Sequence, residues 1–258
     1  MTDTLLAIEG LSKHFGGVLA SDEITLSVPA GEVHAVIGPN GAGKTTLIGQ
    51  LSGELKPDAG RIRFGGRDIT ALPVHRRSAL GLARSFQITS LFRDFTALDN
   101  VALAVQAHGG HSFRFWRNAR RDETLRAPAR AMLAQVGLAE RAGVRVSNMS
   151  HGEHRQLEIA MALATQPRLL LLDEPMAGMG PDESARMVRL LRELKGRLTI
   201  LLIEHDMEAV FALADRITVL VYGRVIASDT PEAIRANEEV RKAYLGTADE
   251  PVGQVTHG

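Results

Sequence analysis

The sequence predicts an α/β fold, in which a mostly parallel sheet has an antiparallel β edge and carries an inserted α-helical lobe. Several short apolar runs end in glycine or in carboxylates, which is typical of parallel strands buried on both faces. A long stretch over 95–164 instead has apolar residues at helical spacing. No linker divides the 258-residue chain, which is long enough for a sizeable core. The helical stretch is therefore expected to be a lobe inserted into the α/β core.

The first third of the chain is predicted to contain the antiparallel edge and one central strand. Strands are expected at 5–8, 24–28, 33–37, 61–64 and 81–86. The first two are expected to lie near a sheet edge, whereas the continuous apolar run 33–37 is typical of a buried central strand. The alternation of polar and apolar residues at 61–64 indicates a strand with one exposed face.

The rest of the chain is predicted to alternate helices with strands. The helical stretch is interrupted at 107–122 by Gly, His, aromatic and Arg residues, which indicate a loop or an irregular insertion. Four consecutive leucines at 169–172, directly before Asp173, predict a strand buried on both faces. The elements expected after them are a helix at 184–194, a strand at 198–203, a hairpin at 217–222 and 225–227, and a helix that starts at Pro231.

A single domain is expected over residues 1–246, followed by a flexible tail at 247–258. Its α/β core is predicted to comprise about 1–92 and 160–246, with the helical lobe at about 93–159. The tail is polar and contains Pro and Gly, which is typical of a terminus that does not pack.

Composition limits the classes of function. Thirty basic and thirty acidic side chains cancel, so no overall charge attracts the chain to nucleic acid or to an anionic membrane. The absence of cysteine excludes a disulfide scaffold and thiolate metal sites, and it fits a reducing cytosol. The first residues lack a signal-peptide pattern, and no apolar run approaches the roughly 20 residues that span a bilayer. The chain is therefore expected to be soluble, with any membrane role supplied by a partner.

The most informative motif is the segment 38–45, the phosphate loop, which fits G-x-x-x-x-G-K-[ST] between a predicted strand and a predicted helix. Successive backbone N–H groups in such a turn form a nest for anions. Lys44 is expected to reach the β- and γ-phosphates, the Thr45 hydroxyl to bind Mg²⁺, and Thr46 to touch the α-phosphate. The flanking elements disfavour the alternative, a glycine-rich turn without a ligand. The predicted phosphate-binding residues are Gly38, Pro39, Asn40, Gly41, Ala42, Gly43, Lys44, Thr45 and Thr46.

Two adjacent acids offer what hydrolysis requires beyond binding. Asp173 ends the predicted leucine strand, and ligands gather at strand ends in parallel sheets. It is the candidate anchor for Mg²⁺, whereas Glu174 is placed to orient the attacking water or to take its proton. Adjacent acids after a strand also occur in exposed turns and helix caps, but the preceding phosphate loop favours the catalytic interpretation.

Two further polar side chains follow predicted strands. His205 follows the run 198–203 and is a candidate donor of a hydrogen bond to the γ-phosphate. A lone histidine is more often structural, and spacing alone favours that alternative. Gln87 follows the run 81–86, and its amide oxygen is a candidate ligand for Mg²⁺ or for a water. By itself, this glutamine carries little weight.

In their order along the chain, these motifs resemble those of the ATP-binding subunits of ABC transporters, which share a RecA-like P-loop NTPase core. In the terms of that family, the Walker A motif, the Q-loop, the signature, the Walker B motif and the H-loop correspond to 38–45, Gln87, 150–153, 169–174 and His205. The resemblance covers residues 5–246. It is closest to the importer ATPases for branched-chain amino acids, in the stretches 83–87, 100–101, 156–160, 173–178, 203–207 and 243–246.

The resemblance implies that ATP and Mg²⁺ are bound between two copies of the chain that pack head to tail. Ser150 and Gly152 in the signature of one copy would then cap the phosphate loop of the other, because the helix that follows them directs its N-terminus at the γ-phosphate. Phe15 has the position of an aromatic side chain that stacks on adenine, with Val18 as an apolar neighbour. A core phenylalanine at a strand end is the alternative for Phe15.

Three positions depart from the usual pattern of the family. His151 replaces a glycine of the signature and Glu153 replaces its final glutamine. An acid at this position repels phosphate unless it points away or caps the helix. Gly180 stands where the D-loop usually ends in aspartate, so communication between the two sites is expected to differ. No departure touches Lys44, Asp173 or Glu174, so an active ATPase is expected.

The implied partners are a second ATPase subunit, transmembrane permease subunits and, indirectly, a periplasmic or extracellular solute-binding protein. The resemblance places the chain at the cytoplasmic face of the cell membrane and implies no nucleic acid. Residues 89–92 and Leu98 are candidates for contact with a coupling helix of the permease, with ordinary lobe packing as the alternative. The run 111–121 is a candidate contact with a membrane or partner, with a solvated loop as the alternative.

The first function hypothesis is an ATPase that powers import of branched-chain or related small amino acids. The second is the same ATPase in urea import or lipopolysaccharide export. A soluble ABC ATPase acting on DNA or ribosomes is a third hypothesis, disfavoured because the chain has no second copy, long insertion or basic surface. A nucleotide-binding regulator without turnover is a fourth, against which Glu174 argues.

Overall fold

A computed structural model describes residues 3–84, 91–109 and 122–245 of the chain. The predictions about Gln87, Thr89, the segment 111–121 and the tail 247–258 lie outside the described residues. Of the helices in the described ranges, none combines the length and the apolar composition that crossing a lipid bilayer takes.

The smaller sheet is antiparallel and has four strands, β1 (Thr4–Phe15), β2 (Val18–Pro29), β4 (Ala59–Phe64) and β5 (Arg67–Asp68). Their order is β2-β1-β4-β5. The first two strands have 12 residues each and extend well beyond the predicted 5–8 and 24–28. The added length is the outer part of the hairpin, where both Phe15 and Val18 are exposed. Because Leu11 is the one large apolar side chain buried in that part, the part lacks the alternating apolar pattern that predicts a strand.

The larger sheet has six strands, β3 (Val33–Ile37), β6 (Leu82–Arg84), β7 (Leu169–Asp173), β8 (Thr199–Ile203), β9 (Arg216–Val221) and β10 (Arg224–Asp229). Their order is β10-β9-β3-β8-β7-β6, with parallel pairing except between β9 and β10. Every residue of β3, β7 and β8 is buried. This burial on both faces confirms what the continuous apolar runs predicted.

Helices connect these strands, and the helix predicted to start at Pro231 begins there. The helices are α1 (Lys44–Ser52), α2 (Val74–Ala79), α3 (Ala97–His108), α4 (Glu123–Gln135), α5 (His151–Leu163), α6 (Pro181–Leu194), α7 (Met207–Leu213), α8 (Pro231–Ala236) and α9 (Glu238–Val240). The α6 helix starts three residues before the predicted 184, because Pro181 suits a first turn and the Glu183 carboxylate accepts a hydrogen bond from the backbone N–H of Gly180.

Three helices, α3, α4 and α5, pack on one another. Leu98 of α3, Leu133 of α4 and Leu157 of α5 are buried in one apolar cluster. The same cluster includes Leu170 and Leu172 of β7. These helices therefore pack directly against one face of the larger sheet, while α1 covers the other face.

The parallel register brings three loops to one edge of the larger sheet. In this register, Asp173 of β7 lies opposite Ile203 of β8, and Val36 of β3 lies opposite the same Ile203. The carboxyl ends of the three strands therefore coincide. The segments that follow them hold the phosphate loop, Glu174 and His205, which places the predicted active residues side by side.

A buried arginine supports the helix that follows the phosphate loop. The Arg77 side chain is 1% exposed, and its guanidinium donates hydrogen bonds to four backbone carbonyls at 2.7–3.0 Å. Two of these carbonyls belong to Gln50 and Leu51 in the last turn of α1, and the others to Thr70 and Leu72. Because carbonyls at a helix C-terminus have no partner within the helix, Arg77 supplies the donors that they need.

We expect Arg77→Met to lower the free energy of unfolding by about 3 kcal/mol, because it leaves several buried carbonyls without a donor. The neighbouring Arg76 is exposed, so Arg76→Met removes the same charge as a control and should change stability by less than about 0.5 kcal/mol. Urea unfolding of both variants measures the difference. Equal stability of the two variants would show that Arg77 has no supporting role.

Candidate functional site

The phosphate loop packs closely against the backbone of two strands, β9 and β2. A Cβ at Gly38 would lie 2.1 Å from the carbonyl oxygen of Leu220 in β9. A Cβ at Gly43, whose φ is +98°, would lie 2.2 Å from the carbonyl oxygen of Ala20 in β2. Both distances are far below a van der Waals contact, so no other residue fits at either position. The motif therefore has glycine at the two positions where the backbones of β9 and β2 lie against the phosphate loop.

The loop leaves donors available for an anion. No side chain caps the N-terminus of α1 at Gly43, so the first N–H groups of the helix face the loop. Lys44 is 8% exposed, and its Nζ atom donates hydrogen bonds to the carbonyls of Gly38 at 2.6 Å and Pro39 at 3.0 Å. The Lys44 ammonium thus lies across the loop itself. Burial lowers the pKa of Lys44, while the nearby Glu174 and Asp173 raise it.

A cavity of about 330 Å³ lies over this loop. It is lined by Val18, Leu19, Ala20, Asn40, Gly41, Ala42, Gly43, Lys44, Thr45, Thr46, Glu174 and Tyr222. The structure therefore brings most of the predicted phosphate-binding residues together with Glu174. Sequence reasoning missed Tyr222, which is 85% exposed at the turn between β9 and β10. The one available signal was an aromatic residue directly before the turn glycine of the predicted hairpin.

Asp173 and Glu174 are adjacent in sequence but differ in environment. The Asp173 side chain is 2% exposed, and the Arg84 guanidinium lies 3.3 Å from its Oδ2 atom. Burial raises the pKa of Asp173, and the Arg84 charge opposes that rise. Glu174 is 41% exposed at its side chain and faces the cavity. Its φ of +49° is unusual for a residue other than glycine, and its N–H donates to the carbonyl of Ile203 at 2.9 Å.

His205 lies beside Glu174 rather than in the core. Its side chain is 62% exposed, and Nδ1 is 4.0 Å from the Glu174 carboxylate. The preceding Glu204 is buried and accepts hydrogen bonds at 2.9 Å from the N–H groups of Met176 and His205. Glu204 thereby ties together the loops that follow β7 and β8. The sequence showed Glu204 next to His205, but its role depends on pairing between strands.

The signature residues begin α5 through a capping box. The Ser150 hydroxyl accepts a hydrogen bond from the Glu153 N–H at 3.2 Å and donates one to Glu183 at 3.1 Å. The Glu153 carboxylate accepts a hydrogen bond from the Ser150 N–H at 2.7 Å and pairs with Arg141 at 2.6 Å. Glu153 is therefore a helix-capping carboxylate paired with an arginine, the arrangement in which an acid is tolerated at this position. His151 is the other unusual residue of the signature. Its Nε2 atom lies 3.1 Å from the carbonyl oxygen of Ala177.

Within one chain, the signature and the phosphate loop remain separate. Ser150 and Gly152 line a different cavity of about 350 Å³, together with Glu183. Phe15 does not line the cavity over the phosphate loop, although Val18 does. Phe15 is 47% exposed at the end of β1, with the ammonium of Lys13 5.6 Å from the centre of its ring. This exposure excludes the alternative that Phe15 is a core residue.

Two protein-family models match the chain. A family model described as "ABC transporter" matches residues 21–177. A second model, described as "Branched-chain amino acid ATP-binding cassette transporter", matches residues 224–250. The first match spans the phosphate loop, the signature, and Asp173 and Glu174 at the end of β7. The second begins at β10 and includes 243–246, one of the six stretches in which the sequence resembles the amino-acid importers.

Individual relatives are similar over nearly their whole length. The high-affinity branched-chain amino acid transport ATP-binding protein LivG of Salmonella typhimurium is 40% identical, with 96% of this chain and 100% of the relative covered. The protein of the same description named BraF, from Pseudomonas aeruginosa, is also 40% identical, with the same coverage. The crystal structure of the ADP conformation of MJ1267, an ATP-binding cassette of an ABC transporter, superposes with a TM-score of 0.83 at 30% identity, covering 94% of this chain and 99% of that one.

The converging loops, the order of the motifs and these similarities agree with one another. The chain belongs to the family of ATP-binding proteins of ABC transporters.

Proposed function

We propose that the chain is the ATP-hydrolysing subunit of an importer for branched-chain or related small amino acids. The observation that carries this proposal is the convergence of the phosphate loop, Asp173, Glu174 and His205 at one edge of the larger sheet. The full-length similarity to LivG and BraF supports the class of solute. The further match over residues 224–250 points to the same class.

The phosphate loop is suited to the triphosphate of ATP. The free N–H groups at the start of α1 and the Lys44 ammonium present positive charge to the cavity. We infer that Lys44 exchanges its bonds to the loop carbonyls for bonds to the β- and γ-phosphates. We propose that the adenine base of ATP binds at the exposed rim of the cavity, against Val18 and the nearby Phe15.

The residues present also fit Mg²⁺. The Thr45 hydroxyl is exposed at the cavity, and the Asp173 carboxylate lies at the same sheet edge. Among the described residues, no group of three or more His, Cys, Asp or Glu side chains forms a complete metal site. We therefore assign Thr45 and Asp173, with Gln87 as predicted from the sequence, as the protein residues that would hold Mg²⁺ alongside the phosphates. A bound Mg²⁺ supplies positive charge that neutralises the phosphate oxygens.

We assign the hydrolytic step to Glu174. Its carboxylate borders the cavity and is exposed enough to contact a water, which it would orient or deprotonate. His205 lies 4.0 Å away and is free to hydrogen-bond to the γ-phosphate with its other ring nitrogen. The division of roles follows from exposure, because Asp173 is buried and Glu174 is not.

A complete site requires a second copy of the subunit. In one chain, Ser150 and Gly152 do not line the cavity over the phosphate loop. Ser150 begins the 13-residue α5 helix, whose N-terminus favours an anion. We propose that the signature of one copy closes the phosphate loop of the other, so that ATP holds the pair together. Removal of the γ-phosphate would then loosen the pair.

The partner in the membrane is proposed to dock in a groove between the sheet and the helical lobe. This groove, with a volume of about 510 Å³, has a predominantly apolar lining that includes Val74, Leu103 and Met161. Val74 and Phe92 at its rim are 43% and 54% exposed, which is high for large apolar side chains. We propose that a helix of a permease subunit occupies the groove. Such docking would hold the chain at the cytoplasmic face of the membrane.

Uptake by reconstituted vesicles tests the proposed function. The chain is co-purified with the membrane subunits encoded beside its gene, and vesicles are loaded with Mg-ATP and given the cognate binding protein. ATP-dependent uptake of radiolabelled leucine is the expected result. Uptake of urea alone, or extraction of lipopolysaccharide alone, would agree with the proposed ATPase activity but would contradict amino acids as the transported solute.

Phe92→Ser is expected to weaken assembly with the membrane subunits about 10-fold or more, because it removes an exposed aromatic anchor from the groove. The ATPase activity of the isolated subunit should change less than about 2-fold, because Phe92 does not line the nucleotide cavity. Co-purification yield and ATPase rate measure the two effects. Normal assembly of the variant would show that the permease binds elsewhere.

A further inference from the structure

The Arg84 side chain connects the groove to the nucleotide site. Arg84 is the last residue of β6 and lies in parallel register with Leu171 of β7. Asp173 is two residues after Leu171, so all three side chains project from the same face of the sheet. That face carries α1, which is followed in sequence by Glu54. The register thus places Arg84 on the same face as Asp173, and Glu54 follows the helix that covers this face.

The contacts match this placement. One terminal nitrogen of Arg84, Nη2, is 3.3 Å from Oδ2 of Asp173, and the other, Nη1, donates a hydrogen bond to the carboxylate of Glu54. The Arg84 side chain is 10% exposed and that of Asp173 is 2% exposed, so water screens their pairing little. Glu54 is 49% exposed and lies at the outer end of the chain of contacts.

The Asp173 carboxylate pairs with Arg84 rather than with the other nearby cation, Lys44. The Lys44 ammonium is directed at the carbonyls of Gly38 and Pro39. Within the described parts of the chain, Arg84 is the cationic side chain within ion-pair distance of Asp173. A planar guanidinium holds a carboxylate in a fixed orientation, which a buried carboxylate without a partner would not keep.

Resting on the ATPase function proposed above, we propose that Arg84 is a positioning residue that aims the Asp173 carboxylate at the metal position, with Glu54 holding the guanidinium in place. Arg84 and Glu54 also line the groove between the sheet and the helical lobe. A partner seated in the groove therefore contacts the residues that orient the metal-binding carboxylate. The Glu54–Arg84–Asp173 chain is a direct physical link between the two sites.

Metal binding in the presence of ATP tests this role without relying on turnover. Mn²⁺ serves as the probe, and its bound fraction at saturating ATP is measured by electron paramagnetic resonance. We expect Arg84→Gln to raise the Mn²⁺ concentration at half-saturation about 10-fold or more, as for other residues that orient metal ligands. Arg84→Lys should recover part of this loss, because it keeps the positive charge but not the planar guanidinium with its two terminal nitrogens. Binding of ATP in EDTA should change less than about 2-fold in both variants.

Two further variants make the result specific. Glu54→Gln should raise the Mn²⁺ midpoint about 3-fold, because it loosens the guanidinium without removing it. Glu54 is half exposed, so this variant is expected to fold even where Arg84→Gln does not. Arg63→Gln is the charge-matched control on β4, where Arg63 lies 3.7 Å from Glu9, and it should leave the midpoint unchanged.

An unchanged or lowered Mn²⁺ midpoint in folded Arg84→Gln would overturn the positioning role of Arg84. An unchanged midpoint in Glu54→Gln would overturn the proposal that Glu54 holds the guanidinium in place. Failure of the unaltered protein to bind ATP would instead contradict the proposed function. The two failures are therefore distinguishable in one set of titrations.

Discussion

Glu174→Gln should abolish steady-state phosphate release while ATP binding is retained. Loss of a general base lowers a rate by about 10²–10⁴-fold. The substitution keeps the size of the side chain and leaves the N–H of residue 174 bonded to the carbonyl of Ile203. Glu174 is exposed to the cavity and is not part of the buried core, so the fold should be preserved.

Phosphate release and nucleotide affinity are measured together for this variant. Glu208→Gln is the matched control, because Glu208 is an exposed acid in the first turn of α7 and does not line the cavity. The proposed dimer adds a second readout. With ATP present, the Glu174→Gln variant should elute as a dimer in size-exclusion chromatography, since the γ-phosphate persists. Unchanged phosphate release would show that another group activates the water.

Lys44→Ala should reduce ATP turnover about 10²-fold or more, because a charged donor directed at the transferred phosphate is lost. Lys44 is 8% exposed and its ammonium is hydrogen-bonded to the loop carbonyls, so its removal also loosens the loop before ATP binds. Both effects act in the same direction, and affinity for Mg-ATP should fall as well.

Lys195→Ala is the control for the Lys44 variant. Like Lys44, Lys195 donates a hydrogen bond to a backbone carbonyl, but it pairs with Asp215 at 2.7 Å and lies at the end of α6. ATP affinity and turnover should be unaffected by this change. Normal turnover in Lys44→Ala would contradict the assignment of the phosphate loop.

Much of this site could be predicted from sequence because its parts are local. The phosphate loop, the strand that ends at Asp173 and the strand before His205 are each defined by residues within one short segment. The parallel register then brings them together, as expected for loops at the carboxyl ends of adjacent strands.

Other features depend on contacts between distant segments and were not predictable. The pairing of Arg84 with Glu54 and Asp173 requires the strand order and register. The support of α1 by Arg77 likewise requires the fold, because an isolated arginine in a short helix carries no signal of burial. The capping role of Glu153 was foreseen only as one alternative, and the pairing with Arg141 decides it.

Isothermal titration calorimetry of the purified chain with Mg-ATP tests the central claim most directly. We predict saturable binding to one site per chain for the unaltered protein and at least about 10-fold weaker binding for Lys44→Ala. Absence of any heat of binding from the unaltered protein, under conditions in which it is folded, would contradict the claim that the phosphate loop captures the nucleotide.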